Sequence, residues 1–230
     1  MNKNKVVLAG AGTMGASLAQ VYAQAGWDTV LWNRSAAGLE RAKSLISLNQ
    51  ATFIKEGILV EVESNAMLSR IRMTTDKADY QDAALVVESI VEKLDAKQAF
   101  WEEISALVPA EALLATNTSG LKITEIAKAC KHPERFMGQH WLNPPHLLPL
   151  CEIIAGEQTA PENVQKMRTL VKNLGKQPVV VADINGFIIN RIQFALLREA
   201  LHIVDIGAAT VEDVDTCLLY TSPSPRDRQK

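Results

Sequence analysis

The first fifteen residues constrain the fold more than any other stretch. Residues 5–9 read KVVLA, an apolar run suited to a strand buried on both faces. The run leads straight into Gly10-Ala11-Gly12-Thr13-Met14-Gly15, and a helical pattern with Leu18, Val21 and Tyr22 follows through Ala25. Each glycine at this spacing has its own reason. Gly10 permits a tight turn, Gly12 lets backbone approach a pyrophosphate, and Gly15 allows close helix–strand packing. The helix N-terminus offers free N–H groups and a positive dipole end to an anion. Strand, turn and helix together predict a dinucleotide cofactor held by Gly10, Ala11, Gly12, Thr13, Met14 and Gly15.

Residues 29–32 read as the second strand. Where an acid for the ribose hydroxyls would stand, the chain has Asn33 and then Arg34. Asn33 can bond a hydroxyl but does not repel a 2′-phosphate, and Arg34 can attract one. NAD is expected, and NADP remains compatible. Ser35 can cap the next helix. Residues 49–70 read as two helical turns with a break near Gly57. Strands follow at 71–75, 84–90 and 113–115, with helices at 95–107 and from Gly120 to near Cys130. Residues 135–141 and 150–154 are strands, 161–174 a helix starting at Pro161 and stopping at Gly175, and 178–181 the last strand. Strands alternating with helices predict an α/β, Rossmann-type, doubly wound, mainly parallel sheet. From Asn185 the pattern is helical only, which predicts the start of an all-α domain.

Composition narrows the partners. A net charge of −2 gives no case for nucleic acid or an acidic membrane surface. Cys130, Cys151 and Cys217 are too scattered for a disulfide framework or a metal site. No apolar run is long enough to span a membrane, and no signal-peptide core precedes the first strand. A soluble cytoplasmic protein with reduced thiols is expected.

Residues 138–152, GQHWLNPPHLLPLCE, place a histidine at a strand end and a carboxylate in an apolar strand around a stiff Asn143-Pro144-Pro145 corner. A base, a turn and a buried acid suit a site better than a core. GAGTMG, ALVVESIVEKL, ATNTSGLKIT, GQHWLNPP with CEII, and NGFIINRIQ together resemble the 3-hydroxyacyl-CoA dehydrogenases over residues 5–215. The resemblance implies oxidation of a secondary alcohol at C3, with hydride passing to a nicotinamide, in fatty acid metabolism. Such chemistry needs a base for the hydroxyl proton, and histidine suits it at neutral pH. His140 matches the family's catalytic histidine and Glu152 the carboxylate that orients it. Ser119 and Asn190 match residues that hydrogen-bond the reacting oxygen. Glu92, Lys97 and Asn117 match cofactor contacts, and Asn143 a ligand contact.

Each residue also has an ordinary structural alternative. His140 could be a satisfied core histidine, Glu152 a solvated strand edge, Ser119 a helix cap, and Lys97 a helix-surface lysine. Asn190 could face solvent. His146 is a candidate to read a substrate carboxylate, with a free surface imidazole as the alternative.

The turn departs from the family's fatty-acid members, which carry NPxPxMKLVE. Asn143-Pro144-Pro145-His146 followed by Leu-Leu-Pro-Leu looks more like gulonate, carnitine and pyridine-carboxylate dehydrogenases. Gly120 replaces a second serine, and only Lys55 is available near where a CoA nucleotide would lie. A hydroxyacyl-CoA and a small hydroxy acid therefore both stand as substrates. A non-catalytic dinucleotide-binding protein is a third alternative, disfavoured by the joint presence of His140, Glu152, Ser119 and Asn190. Trp32-Asn33-Arg34 hints at hydroxyisobutyrate-type reductases, which use a lysine instead of a His–Glu pair.

The expected organisation is a dinucleotide domain at 1–183, a truncated helical domain at 184–216 and a non-native tail at 217–230. That tail, CLLYTSPSPRDRQK, resembles a translated sequencing adapter and breaks the helical pattern at Cys217. A homodimer is expected for the full-length protein. The apolar stripe Phe187, Ile188, Ile192, Leu196 and Leu201, left uncovered, is expected to make this chain associate and lose activity.

Overall fold

The computed structural model describes residues 4–221. Eight strands form one sheet in the order β3-β2-β1-β4-β5-β6-β7-β8. They are β1 Lys5–Ala9, β2 Asp28–Trp32, β3 Ile71–Thr74, β4 Leu85–Glu88, β5 Leu113–Thr116, β6 Phe136–Trp141, β7 Leu150–Ala155 and β8 Gln177–Ala182. Every pairing is parallel except β6 with β7. Strand order reverses at β1, which lies between β2 and β4, and the crevice at such a reversal is where α/β sheets bind ligands.

Alternation along each strand feeds two apolar layers. Val6 and Leu8 face one layer with Leu18, Val21, Ile46, Met137 and Met167. Val7 and Ala9 face the other with Trp101, Ile104, Ile126 and Phe136. Helices α1 Thr13–Gln24, α2 Ala36–Lys55, α3 Glu61–Leu68 and α6 Pro161–Asn173 contribute to or border the first layer. Helices α4 Leu94–Ile104 and α5 Ile123–Ala127 cover the second. Gly26 and Gly175 follow α1 and α6 in the left-handed region, where glycine avoids a Cβ penalty.

Two expectations about these helices change. Residues 49–70 are not merely two helical turns, because α2 runs unbroken from its Ser35 cap to Lys55. Its last turns are held by buried side-chain hydrogen bonds. Gln50 Nε2 donates to Gln20 Oε1 at 2.8 Å, and Ser64 Oγ donates to Gln50 Oε1 at 2.8 Å, joining α1, α2 and α3. The break does fall at Gly57, whose φ is +68°. Helix α5 is shorter than expected, since residues 129 and 130 leave it through i→i−3 bonds to Ile126 and Ala127.

The chain divides into two compact units between Phe187 and Ile188. The second holds α7 Ile189–Asp205 and α8 Val211–Thr221. Helix α8 continues past Cys217, where the sequence pattern predicts a break; Leu218-Leu219-Tyr220 contains no breaker, and the first proline comes at 223. The remainder of the expected tail, 222–230, lies outside the described residues. Ile192, Leu196 and Leu201 of α7 are more than half exposed, whereas Phe187 leaves the predicted stripe and is fully buried in the first unit.

Candidate active site

The glycine loop after β1 shows two kinds of glycine. Gly10 has φ +104°, and a Cβ there would lie 2.6 Å from the Ser89 carbonyl oxygen. A Cβ on Gly15 would sit 1.8 Å from the Gly10 carbonyl oxygen, so both positions are closed to any side chain. Gly12 has nothing within 4 Å of that point, and it is the N-cap of α1. No side chain caps this helix, and no acid stands in its first turn. Open space beside first-turn N–H groups that lack helical partners fits a pyrophosphate. Ala11, Thr13 and Met14 complete that loop.

Asn33 is drawn into the same loop. Its Nδ2 donates to the Ser35 carbonyl oxygen at 2.9 Å and to Ser35 Oγ at 3.2 Å, and its Oδ1 accepts from Ala11 N at 3.4 Å. The amide thus ties the end of β2 to the glycine turn and the start of α2, while Arg34 is exposed.

The ends of β4 and β5 carry a buried polar network. Glu88 Oε1 accepts from Lys97 Nζ at 2.6 Å and Ile90 N at 2.7 Å; its Oε2 accepts from Thr116 Oγ1 at 2.7 Å and Trp101 Nε1 at 3.4 Å. Lys97, read from sequence as a cofactor contact or a surface lysine, is fully buried between Glu88 and Glu92, the latter 3.3 Å away. A carboxylate inside the core requires such a cation. Glu92 is half-exposed, and its Oε1 accepts from the Thr118 hydroxyl, Ser119 N at 2.8 Å and Gly120 N at 3.3 Å. Burial raises the affinity of Glu92 for a proton, but the Thr118 hydroxyl, Lys97 and Ser119 N–H outweigh it, holding the carboxyl below its ordinary value.

The loop after β5 carries Asn117 and Ser119. Asn117 N donates to the Glu88 carbonyl oxygen at 2.7 Å, and Asn117 Oδ1 accepts from Trp141 N at 2.9 Å, one residue from His140. Ser119 is exposed, and it does not cap α5. Asp183 does so instead, accepting from Ile123 N and Thr124 N at 2.8 Å each and from Thr124 Oγ1 at 2.6 Å. No local signal points to this cap, because Asp183 lies 60 residues from Ile123.

His140 and Glu152 stand directly opposite each other in the antiparallel β6–β7 ladder. His140 Nδ1 lies 2.8 Å from Glu152 Oε2, with side chains 4% and 1% exposed. Glu152 is therefore no solvated edge. The Phe187 ring centroid lies 5.4 Å from that of His140.

The turn between these strands is pinned from below. Lys176 Nζ donates to the Pro145 carbonyl oxygen at 2.6 Å and to that of Leu148 at 3.0 Å, a clamp not anticipated from sequence. Asn143 is exposed at the corner. His146 packs its ring edge against Phe53 of α2 at 5.1 Å, so it is not a free surface imidazole. Burial, then the Lys176 charge, lowers the proton affinity of His146 below its ordinary value, favouring the neutral ring.

The parallel strands bring Gly10–Gly15, Glu92, Asn117, Ser119 and His140 to one edge of the sheet, with Lys97 beneath it. Asn190 belongs to α7, in the second unit. Among the described residues no cluster of His, Cys, Asp or Glu could hold a metal ion, and no helix is long and apolar enough to cross a membrane.

Comparison with known proteins agrees with this geometry. The NAD binding domain of 3-hydroxyacyl-CoA dehydrogenase matches residues 5–184, and the C-terminal domain of the same enzyme matches 186–222. The 5-formyl-3-hydroxy-2-methylpyridine 4-carboxylate 5-dehydrogenase of Mesorhizobium japonicum is 38% identical over 217 residues, 94% of this chain and 69% of that protein. A probable 3-hydroxybutyryl-CoA dehydrogenase of Deinococcus radiodurans is 38% identical over 206 residues, 90% of this chain and 74% of that protein. The crystal structure of (S)-3-hydroxybutyryl-CoA dehydrogenase from Ralstonia eutropha superposes with a TM-score of 0.91 at 30% identity, covering 97% of this chain and 79% of that one. With the NAD binding domain model matched over the doubly wound sheet and the C-terminal domain model matched directly after it, the chain belongs to the 3-hydroxyacyl-CoA dehydrogenase family.

Proposed function

We propose that this chain oxidises the 3-hydroxyl of a hydroxyacyl-CoA to a ketone, with NAD as the acceptor and His140 as the base. The single observation carrying this is the buried His140–Glu152 pair, 2.8 Å apart on the sheet edge that holds the glycine loop. Bound NAD would accept a hydride from the carbinol carbon. Glu152 accepts the hydrogen bond of His140 Nδ1–H, which leaves the Nε2 lone pair to take the hydroxyl proton. The same carboxylate steadies the imidazolium that forms. Ser119 hydrogen-bonds the reacting oxygen, and for Asn190 the same role rests on the family resemblance alone. Gly12 and the first turn of α1 hold the pyrophosphate, and Glu92 and Asn117 border the nicotinamide. Asn143 contacts the substrate.

The test is NADH formation by the full-length protein against a panel of 3-hydroxyacyl-CoAs and small hydroxy acids, beside His140→Gln. Turnover by His140→Gln at the wild-type rate would sink the assignment of the base. A second reading, a small hydroxy acid without CoA, is favoured by the Asn143–His146 turn and by the pyridine-carboxylate relative. Activity confined to free acids in the same panel would select it. NADH binding without turnover on any member would select the non-catalytic alternative.

We also propose a homodimer, supported by the exposed apolar faces of the second unit. Leu196, Leu197, Leu201 and Val211 line a groove of about 860 Å³ between α7 and α8, and uncovered apolar surface of this kind favours association. A cytoplasmic location is proposed on the buried thiols of Cys130 and Cys151.

A further inference from the structure

Phe187 is the sole non-glycine residue with positive φ among the described residues, at +49°. A bulky side chain in the left-handed region is an outlier, and such strain persists only where the surroundings fix it. The surroundings here are explicit. Asp183 is bound to the N-terminus of α5 through three hydrogen bonds. Ile184 N then donates to the Ala182 carbonyl oxygen at 2.8 Å, and Phe187 N donates to that of Ile184 at 3.1 Å. Gly186 has φ +76°, so two successive residues turn left-handed. The result drives the Phe187 ring back into the first unit, where it is 0% exposed. Its centroid stands 5.4 Å from that of His140, with the planes inclined at 53°.

We propose that Phe187 is a positioning residue for the base, its ring holding the His140 imidazole in the orientation that serves Glu152 and excluding water from the pair. The proposal rests on His140 being the base. Glu152 fixes one ring nitrogen at 2.8 Å but leaves the imidazole free to swing about that bond. An aromatic ring within normal packing distance removes that freedom. Excluding water also strengthens the attraction between the carboxylate and a protonated imidazole. The strain at Phe187 comes on top of the turn that Gly186 already makes, and it is what carries the ring to His140.

Two variants separate the ring from the strain. Phe187→Gly suits the backbone and removes the ring; Phe187→Leu keeps apolar volume and the strain. In the full-length protein both should lower kcat roughly 10- to 100-fold, the scale of a small misplacement of a reacting group. NADH affinity should stay within about twofold, because the glycine loop is untouched. Imidazole nitrogen NMR on isotope-labelled histidine should show the single hydrogen-bonded environment of His140 replaced by several exchanging ones in both variants, with His140→Gln assigning the signal. An unchanged His140 signal in both variants, whatever happens to melting temperature, would overturn the proposal. So would kcat within about twofold of wild type in both. If His140→Gln itself turns over substrate, the assignment of the base fails instead. The NMR signal, which needs no turnover, still decides the role of Phe187.

Discussion

Lys97 and Glu88 form a fully buried ion pair, Nζ to Oε1 2.6 Å, beneath the loops that carry Glu92 and Ser119. The pair explains how two loops from different strands share one geometry. Glu88 ends β4 and bonds Thr116 on β5, while Lys97 reaches on to Glu92, and Glu92 gathers the N–H groups of Ser119 and Gly120. Lys97→Met leaves a buried carboxylate uncompensated and should destabilise the protein by about 3–5 kcal/mol in urea denaturation. Lys97→Met combined with Glu88→Gln should recover much of that loss, since the stranded charge is gone. Equal losses in the single and double variants would show that the pair itself, not the stranded charge, sets the cost.

The glycine loop predicts opposite outcomes for two similar changes. Gly12→Ala places a methyl group where nothing lies within 4 Å, at a φ of −79° that alanine accepts. Stability should change by less than about 0.5 kcal/mol, while NAD affinity falls at least about tenfold because the methyl occupies the pyrophosphate's approach. Gly15→Ala meets the Gly10 carbonyl at 1.8 Å and should instead unfold the protein at lower denaturant. Isothermal titration with NADH and denaturation curves on both variants check the pair.

These contrasts mark what a linear reading reaches. The Gly10–Gly15 turn is legible because its meaning lies in a short spacing, whereas the pairing of His140 with Glu152 is implied only by the family resemblance and takes its geometry from the antiparallel β6–β7 register. The burial of Lys97 is not legible, because nothing in the sequence around it announces an ion pair with Glu88. The clamp from Lys176 to Pro145 spans 31 residues, and the Asp183 cap on α5 spans 60. Phe187 fits a helical stripe by spacing alone, and only the turn at Gly186 sends it elsewhere. The stretch from residue 49 reads as separate short turns because the Gln20–Gln50–Ser64 bonds that hold the last turns of α2 are tertiary.

Acid should weaken the sheet edge through Asp79. The Arg72 guanidinium, hydrogen-bonded to Asp79, lowers its carboxyl from the ordinary 3.8 to about 2 against a smaller opposing effect of burial. A folded-state value below the unfolded one contributes stability that is present above pH 3.8 and lost as pH falls through about 2. Arg72 is half-exposed, so solvent screening reduces the contribution to about 1 kcal/mol. Asp79→Asn should cost that amount at neutral pH, and the gap to wild type should narrow between pH 4 and 2, to about zero at the acid end. A gap independent of pH would assign the loss to packing.

Lys176 should act on substrate binding and leave the cofactor alone. Its ammonium holds the carbonyls of Pro145 and Leu148, and through them the Asn143–His146 corner proposed to meet the substrate. Burial lowers its affinity for a proton below the ordinary lysine value, but the two carbonyls still need a donor. Lys176→Met keeps the apolar stem and removes that donor, leaving two partly buried carbonyls unsatisfied at roughly 1–3 kcal/mol each if water does not replace it. A loosened corner should raise the substrate KM about tenfold or more while NADH affinity holds within about twofold. Lys176→Arg, which retains a charged donor, should recover part of the effect. A matching loss of NADH affinity in Lys176→Met would mean that the clamp stabilises the whole sheet edge and not the turn alone.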